Sequence, residues 1–184
     1  RPVAIVALLL GAVYVTVGQV IEVGPFHFTL LRLLIAVGFL RALFRGERLA
    51  GRWNSMDKAM ILWGCWALCS SLFHKKPGNA LVYMLGITYT CLGSYFLMRI
   101  FIRDFADFIT AAKIVTWLLV PVAAEMVLEK LTARNLFSVF GYVSEESLVR
   151  HGKIRAQGAF SHPILAGTVG AVCLPLAGLL WRRD

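Results

Sequence analysis

The sequence predicts an all-α, polytopic membrane protein with about six transmembrane helices in one domain, residues 1–184. Of the 184 residues, 59% are hydrophobic, whereas about 45–50% is usual for a soluble domain. The mean hydropathy is +0.73. The apolar residues also fall in long runs, and a helix needs only about 20 such residues to cross a bilayer.

Six apolar runs define the predicted helices, in the order 3–21, 25–44, 59–73, 80–98, 114–128 and 163–181. The third and fifth runs are shorter than a bilayer requires, so we expect their helices to extend into the flanking residues. Pro121 and Pro175 lie inside the fifth and sixth runs. A proline inside a helix removes a backbone hydrogen bond, so the sequence predicts kinks at both positions.

Lysine and arginine residues are concentrated in alternate connections, and this asymmetry predicts the orientation. With the N-terminus in the cytoplasm, the cytoplasmic ends and connections hold ten lysines and arginines, whereas the short outer connections hold only Lys75 and Lys76. Short loops rich in positive charge stay on the cytoplasmic side. We therefore expect a multi-pass protein with a cytoplasmic N-terminus and a long outer loop, residues 129–162.

The formal net charge of +9 is distributed over membrane connections rather than gathered in a soluble basic domain. We therefore expect membrane lipids and an anionic ligand as partners, and no nucleic acid. All four cysteines lie inside apolar runs, which predicts neither disulfides nor a metal site; they are Cys65, Cys69, Cys91 and Cys173. We expect the chain to be the N-terminal part of a longer protein, because it stops just after an apolar run.

The long outer loop has two features of its own. The segment NLFSVFGY, residues 135–142, is aromatic and suits a membrane interface. Ser144 is followed by Glu145 and Glu146, a pattern typical of a helix N-terminus. We expect that helix to run to about His151 and to end at Gly152.

The end of the loop, RHGKIRAQGAFSHPILAG (residues 150–167), is rich in positive charge and has no acidic residue. Arg155 offers a planar fork for a phosphate or carboxylate, and Gly158 allows a close backbone approach to a ligand. Pro163 is favoured at the first position of a helix, whose free N–H groups attract anions. The predicted substrate-binding site adds Arg150, Lys153 and His162. The same cations would also suit lipid phosphates, and His162 would also suit a helix cap.

Arg32 is a charge placed eight residues into the second apolar run. Such a charge costs at least about 2.5–3.5 kcal/mol in a membrane, so it needs a partner or a wet cavity. The two readings are a cavity shared with the predicted site, which makes Arg32 a candidate binding residue, or a buried ion pair with Glu125. Arg41 lies nearer the cytoplasm and is expected to extend its charge to the surface.

Asp104 and Asp107 lie with Arg103 in FIRDFADF, at the expected inner face. Their spacing puts the two carboxylates near each other on a helix. We interpret this stretch as a solvated amphipathic segment rather than a metal or acid–base pair.

The stretch RAQGAFSHPILAG (155–167) resembles the R-x-x-G-x-F-x-H/N-P pattern of the O-antigen ligase and polymerase superfamily. The earlier stretch FTLLRLLIAVGFLRALFRGE (28–47) is similar to the amino-terminal helices of that superfamily. The resemblance extends over the whole chain. Many members have Asn after the proline, where this chain has Ile164, which leaves the subgroup open.

The resemblance implies a bacterial inner-membrane glycosyltransferase with a GT-C type helical bundle, of which this chain would be a part. It implies a metal-independent enzyme that uses an undecaprenyl-pyrophosphate-linked glycan as donor, with Arg155 holding the pyrophosphate. The family's catalytic histidine usually lies in a later periplasmic loop, so that role passes to neither His151 nor His162. The catalytic base is expected beyond residue 184, and the chain alone is expected to be inactive.

Two other classes of function fit parts of the pattern. A transporter half would use broken helices and a mid-membrane charge, as Pro121, Pro175 and Arg32 suggest. A non-catalytic scaffold would use the cations to bind anionic lipid. The sequence does not separate a ligase from a polymerase, and it names neither the glycan nor the acceptor.

Overall fold

The computed structural model describes residues 2–14, 20–23, 26–141 and 143–182, in which six α-helices dominate. They are α1 (Pro2–Tyr14), α2 (Leu30–Phe44), α3 (Ser55–Ser70), α4 (Pro77–Phe101), α5 (Phe105–Thr132) and α6 (Pro163–Trp181). Two short 3₁₀ helices follow α3 and α5, at Ser71–Phe73 and Leu136–Phe140. The predicted all-α class is confirmed.

Three of the described helices, α4, α5 and α6, are long and apolar enough to cross a membrane. Many of their large apolar side chains are exposed in the isolated chain, for example Trp117 at 74%, Val172 at 64% and Leu174 at 73%. Such exposure is unfavourable in water and is expected where lipid surrounds a helix. These observations support a membrane protein. α1 is apolar too but has only 13 described residues.

Each predicted run overlaps one of the helices, and the two long helices, α4 and α5, extend past both ends of their runs. α4 has 25 residues and α5 has 28. α5 begins at Phe105, nine residues before its run, so the expected extension is confirmed for the fifth run. For the third run it is confirmed only at the start, because α3 begins at Ser55 and ends at Ser70. α5 ends only at Thr132, so the loop between α5 and α6 is shorter than predicted, at residues 133–162. Pro121 and Pro175 both lie inside continuous helices, and the predicted kinks stay predictions.

The boundary between the first two predicted spans is wrong. Residues 20–23 and 26–29 form two paired antiparallel strands, β1 (Val20–Val23) and β2 (Phe26–Thr29), with Val20 opposite Thr29. The segments VIEV and FHFT are rich in β-branched and aromatic residues, which favour strands over helices. α2 therefore begins at Leu30 rather than at residue 25. Residues 15–19 of the first predicted span lie outside the described residues.

Side-chain caps fix where several helices begin. Asp104 accepts a hydrogen bond from the N–H of Asp107 at 2.8 Å, and Asp107 accepts one from the N–H of Arg103 at 3.0 Å. Asp104 is thus the N-cap of α5, and Asp107 in the first turn accepts from the residue before the cap. Arg103 and Asp104 are exposed, in keeping with the interpretation of a solvated stretch, and the structure adds the capping role.

Small residues let the helices approach closely. A Cβ added to Gly93 would lie 2.6 Å from Ile35. A Cβ added to Gly38 would lie 2.8 Å from Leu97, and one added to Gly64 would lie 2.9 Å from Leu92. These glycines join α4 to α2 on one side and to α3 on the other. Small residues at helix contacts are common in membranes, where packing rather than the hydrophobic effect holds helices together.

A buried ion pair holds α3 to the end of α4. Asp57 is fully buried, and it accepts hydrogen bonds from Arg99 Nη2 at 3.0 Å and from the Tyr95 hydroxyl at 2.7 Å. The Arg99 hydrogen bond, with the backbone N–H of Asn54, lowers the pKa of Asp57 to about 2. Arg99 also donates to the carbonyl of Ala50 at 2.8 Å, which fixes the connection before α3.

Arg41 is paired rather than simply extended to the surface. Its Nη1 lies 2.9 Å from Glu47 Oε2, and its guanidinium lies 5.4 Å from the centre of the Phe101 ring. The expectation that Arg41 extends its charge towards the surface stays a prediction, and the structure adds an ion pair and a ring contact, both with described residues.

Candidate anion-binding site

The predicted helix after Ser144 is wrong, because a β-hairpin takes its place. The strands are β3 (Leu148–Arg150) and β4 (Lys153–Arg155), and the turn between them is His151–Gly152. Both turn residues have positive φ, 53° and 71°, the combination that a two-residue type I′ turn requires. KIR alternates charged and apolar residues, and Val149 and Ile154 are β-branched; both features favour strands and outweigh the helix-start signal.

The hairpin register puts three cations on one face. Arg150 pairs directly with Lys153, and Arg155 lies two residues further along the same strand. Residues opposite each other, and residues two apart on one strand, share a face. Arg150, Lys153 and Arg155 form what we call the cation face. None of the three makes an ion pair or a side-chain hydrogen bond with a described residue, although Arg155 is half-buried.

Like charges directly opposite each other destabilise a hairpin. The cation face therefore carries a repulsion that no described carboxylate relieves. An anion placed on this face would relieve it, because it would offer each cation a partner. The loop's own ion pair, Arg134 with Glu145, is 3.9 Å long and exposed at both side chains, so it contributes little.

A buried carboxylate on α5 holds the chain just after the cation face. Glu129 is fully buried, and its Oε2 accepts hydrogen bonds from the N–H groups of Gln157 and Gly158, both at 2.9 Å. Its Oε1 accepts one from the Ser147 hydroxyl at 3.0 Å. One side chain thus fastens both the beginning of the hairpin and the residues that follow it to α5.

Glu125, one turn earlier on α5, fastens a second part of the loop. Its Oε1 accepts a hydrogen bond from the N–H of Leu136 at 2.9 Å, and the side chain is only 7% exposed. Asn135, which is 1% exposed, donates from Nδ2 to the carbonyl of Gly158 at 2.9 Å and accepts at Oδ1 from the N–H of Phe137. The two ends of the loop are therefore joined to each other and to α5.

Two of the buried polar atoms that lack a hydrogen-bond partner among the described residues lie beside this loop. Glu125 Oε2 and the Gln157 side-chain oxygen have no hydrogen-bond donor there. Glu125 therefore does not form the ion pair with Arg32 that the sequence allowed, and that alternative is wrong.

Gly158 makes a close approach, and in the structure the approach is to α5. Its φ is 57°, in the region that glycine adopts most readily. A Cβ there would lie 2.9 Å from Met126 and 3.2 Å from Val122. Only glycine satisfies both conditions. The role predicted for Gly158 in approaching a ligand stays a prediction, since its described contacts are with the helix.

His162 caps α6. Its Nδ1 accepts a hydrogen bond from the N–H of Ile164 at 3.2 Å, and its carbonyl accepts from the N–H groups of Leu165 and Ala166. α6 begins at Pro163, as predicted. Because the first N–H groups of α6 already have acceptors, they are less available to an anion than the sequence suggested. The case for an anion site rests on the cation face.

Arg32 lies in the first turn of α2 and its described contacts are to α4. Its Nε donates to the Thr90 hydroxyl at 3.4 Å, and its guanidinium covers Gly86 where a Cβ would stand. The Tyr89 hydroxyl donates to its carbonyl. No described contact joins Arg32 to the cation face, so the structure does not bring it together with the other predicted site residues.

The residues that position the site escaped sequence reasoning, and Glu129 is the main one. Glu125 and Glu129 are four residues apart at the end of the fifth apolar run, so they lie on the same face of the helix. Two carboxylates on one such face need buried donors or water. The spacing of the two glutamates therefore predicts that backbone donors of the adjoining loop bind to this face of the helix. Asn135 and Gln157 carry no comparable signal.

The described residues contain no cluster of three or more His, Cys, Asp or Glu side chains that suits a metal ion. Comparisons with known proteins add no relative: no family model, no curated protein and no solved structure matches the chain.

We predict that Glu129→Ala destabilises the chain by about 3 kcal/mol or more. It leaves two buried N–H groups without an acceptor, and each costs about 1–3 kcal/mol. Glu129→Gln keeps a carbonyl oxygen for both N–H groups and should cost much less. The measurement is the free energy of unfolding in mixed detergent micelles, titrated with SDS.

Glu146→Ala is the matched control, since it removes an exposed carboxylate from the same loop. It should change the free energy of unfolding by no more than about 0.5 kcal/mol. An equal effect of Glu129→Ala and Glu146→Ala would show that the Glu129 hydrogen bonds do not hold the loop.

Proposed function

We propose that the chain is part of an O-antigen ligase-like or polymerase-like glycosyltransferase of the bacterial inner membrane. Its donor would be an undecaprenyl-pyrophosphate-linked glycan, transferred to a sugar or a lipid-linked acceptor in cell-surface polysaccharide assembly. The observation that carries the proposal is the cation face, which has no described anionic partner and is fastened beside the RAQGAFSHP motif. The resemblance of that motif supplies the reaction class.

The level of the site in the membrane supports a lipid-linked substrate. The 19 residues of α6 contain no charge and extend about 28 Å at 1.5 Å per residue, close to the ~30 Å hydrocarbon thickness. The C-terminal end of α6 packs on α5, with Leu180 against Ile109 and Ala112. The length of α6, measured along α5 from Ile109 towards its C-terminus, reaches about Leu128. In the proposal, Glu125 and Glu129 lie on either side of the outer hydrocarbon boundary, and the loop they hold lies at headgroup level.

The pyrophosphate of a polyprenyl donor lies at that level. In the proposed reaction an acceptor hydroxyl oxygen bonds to the anomeric carbon, and the bond from that carbon to the pyrophosphate oxygen breaks. The pyrophosphate departs with the bonding electron pair. Arg155, Arg150 and Lys153 would neutralise the charge that develops there, which is a large part of catalysis when the leaving group is anionic. The acceptor proton goes to a base that we assign to no described residue.

An anionic-lipid-binding scaffold is the second candidate, because the same cation face would bind ordinary lipid phosphates. The transporter alternative used Arg32 as a mid-membrane charge. The described contacts of Arg32 with α4 account for that charge by helix packing. The transporter is therefore the weakest of the three candidates.

The orientation belongs to the proposal, with six crossings and the α5–α6 loop outside. Single cysteines at Ser144 and Ser55, both exposed, test it in intact cells with a membrane-impermeant thiol reagent. We expect Ser144→Cys to react and Ser55→Cys to react only after lysis. The opposite pattern would place the cation face in the cytoplasm and refute the proposed reaction.

We predict that Arg155→Ala weakens the binding of undecaprenyl pyrophosphate to the purified chain by about tenfold or more. A hydrogen bond to a charged group contributes about 1.5–3 kcal/mol, and 1.4 kcal/mol is a factor of ten. Arg155→Lys should restore part of the loss, because an ammonium keeps the charge without the fork. The measurement is native mass spectrometry in detergent micelles, with undecaprenol as the uncharged comparison.

Arg134→Ala is the matched control: it removes an exposed arginine of the same loop that lies outside the cation face. It should leave binding nearly unchanged. If Arg155→Ala binds as well as Arg134→Ala, the pyrophosphate site is not at Arg155. If phosphatidylglycerol binds as tightly as undecaprenyl pyrophosphate, the scaffold function is favoured over the transferase.

A further inference from the structure

The 3₁₀ helix Leu136–Phe140 exposes an apolar surface that the proposed reaction does not use. Leu136 is 58% exposed, Val139 is 86% exposed and Phe140 is 54% exposed. Phe137, between them, is 8% exposed and packs with Val122 and Ala159. Phe137 thus anchors the segment to the protein, and the Phe140 ring lies 6.1 Å from the Phe137 ring, while Leu136 and Val139 stay mostly exposed.

The segment is folded back along α5 rather than projecting from its end. The N–H of Leu136 donates to Glu125, seven residues before the end of α5 at Thr132. Seven residues correspond to about 10 Å along a helix. The 3₁₀ helix therefore lies beside the turn of α5 that coincides with the outer hydrocarbon boundary, as the length of α6 places it.

The segment is also held rigidly, so its apolar side chains keep their direction. Asn135 caps it by accepting from the N–H of Phe137, and Asn135 is itself tied to Gly158. The rings of Phe137 and Tyr14 lie 6.0 Å apart, and the Tyr14 hydroxyl donates to the carbonyl of Leu118 at 2.6 Å. Because these contacts hold the segment in place, its exposed apolar side chains do not fold back onto the protein.

We propose that the 3₁₀ helix Leu136–Phe140 is a membrane-interface anchor. It inserts Leu136, Val139 and Phe140 into the lipid leaflet on the side of the α5–α6 loop. The occupant of this surface is phospholipid, for two reasons. The surface lies at the hydrocarbon boundary, and the same loop carries the cation face, which suits the phosphate layer just outside that boundary. The anchor would keep the cation face at phosphate level whatever the cations bind.

Spin-label accessibility tests the proposal. The four native cysteines, all free, are replaced by alanine, and a nitroxide is attached at Val139→Cys or, as the control on the same loop, at exposed Ser144→Cys. The chain is reconstituted in vesicles of phosphatidylethanolamine and phosphatidylglycerol. Oxygen concentrates in the hydrocarbon and a nickel chelate stays in water, so the two relaxing agents report depth.

We expect the Val139 label to be relaxed mainly by oxygen and the Ser144 label mainly by the nickel chelate. Equal access of the nickel chelate to both labels would show that the segment stands in water and would overturn the proposal. A Val139 label shielded from both agents would also overturn it, since protein would then cover the surface; dipolar broadening would identify that protein as a second copy. A label at Leu136 repeats the test should Val139→Cys fail to fold.

Discussion

The carboxylate of Glu129, buried at the end of α5, is the interaction on which the candidate site depends. Burying a carboxylate is costly unless donors replace its water. Here three donors do so: the N–H groups of Gln157 and Gly158 and the Ser147 hydroxyl. Because one group meets both sides of the hairpin, the position of the cation face relative to α5 follows from it. Gly158 is required at the same place, since any side chain there would meet Met126.

The helices were the predictable part of the fold, because apolar runs and a proline mark them directly. The start of α6 at Pro163 is an example. The two hairpins were not predicted. VIEV and FHFT lie within runs that were interpreted as helices, although their β-branched and aromatic residues favour strands. Ser144 and the acids after it resemble a helix start, yet the positive φ of His151 and Gly152 turns the chain back. The sequence after Ser144 thus has local signals for a helix and for a hairpin, and the pairing of β3 with β4 stabilises the hairpin.

The candidate site was predictable in its charge and not in its supports. Three cations without an acid nearby could be seen in the sequence, and the hairpin puts all three on one face. Arg32 could not be placed, because the partner of a charge in an apolar helix depends on which helix packs beside it; here the described contacts are to Thr90 and Gly86. The predicted capping role of His162 is present, and with it the helix N–H groups are largely satisfied.

Amide hydrogen exchange on the wild-type chain, resolved residue by residue by NMR in micelles, tests the central role of Glu129 most directly. If its carboxylate holds the loop, the amides of Gln157 and Gly158 open only with the surrounding structure and exchange orders of magnitude more slowly than those of the exposed turn, His151 and Gly152. Exchange at Gln157 and Gly158 as fast as at the turn would contradict this role, because a loop that opens so readily could not keep the cation face in place.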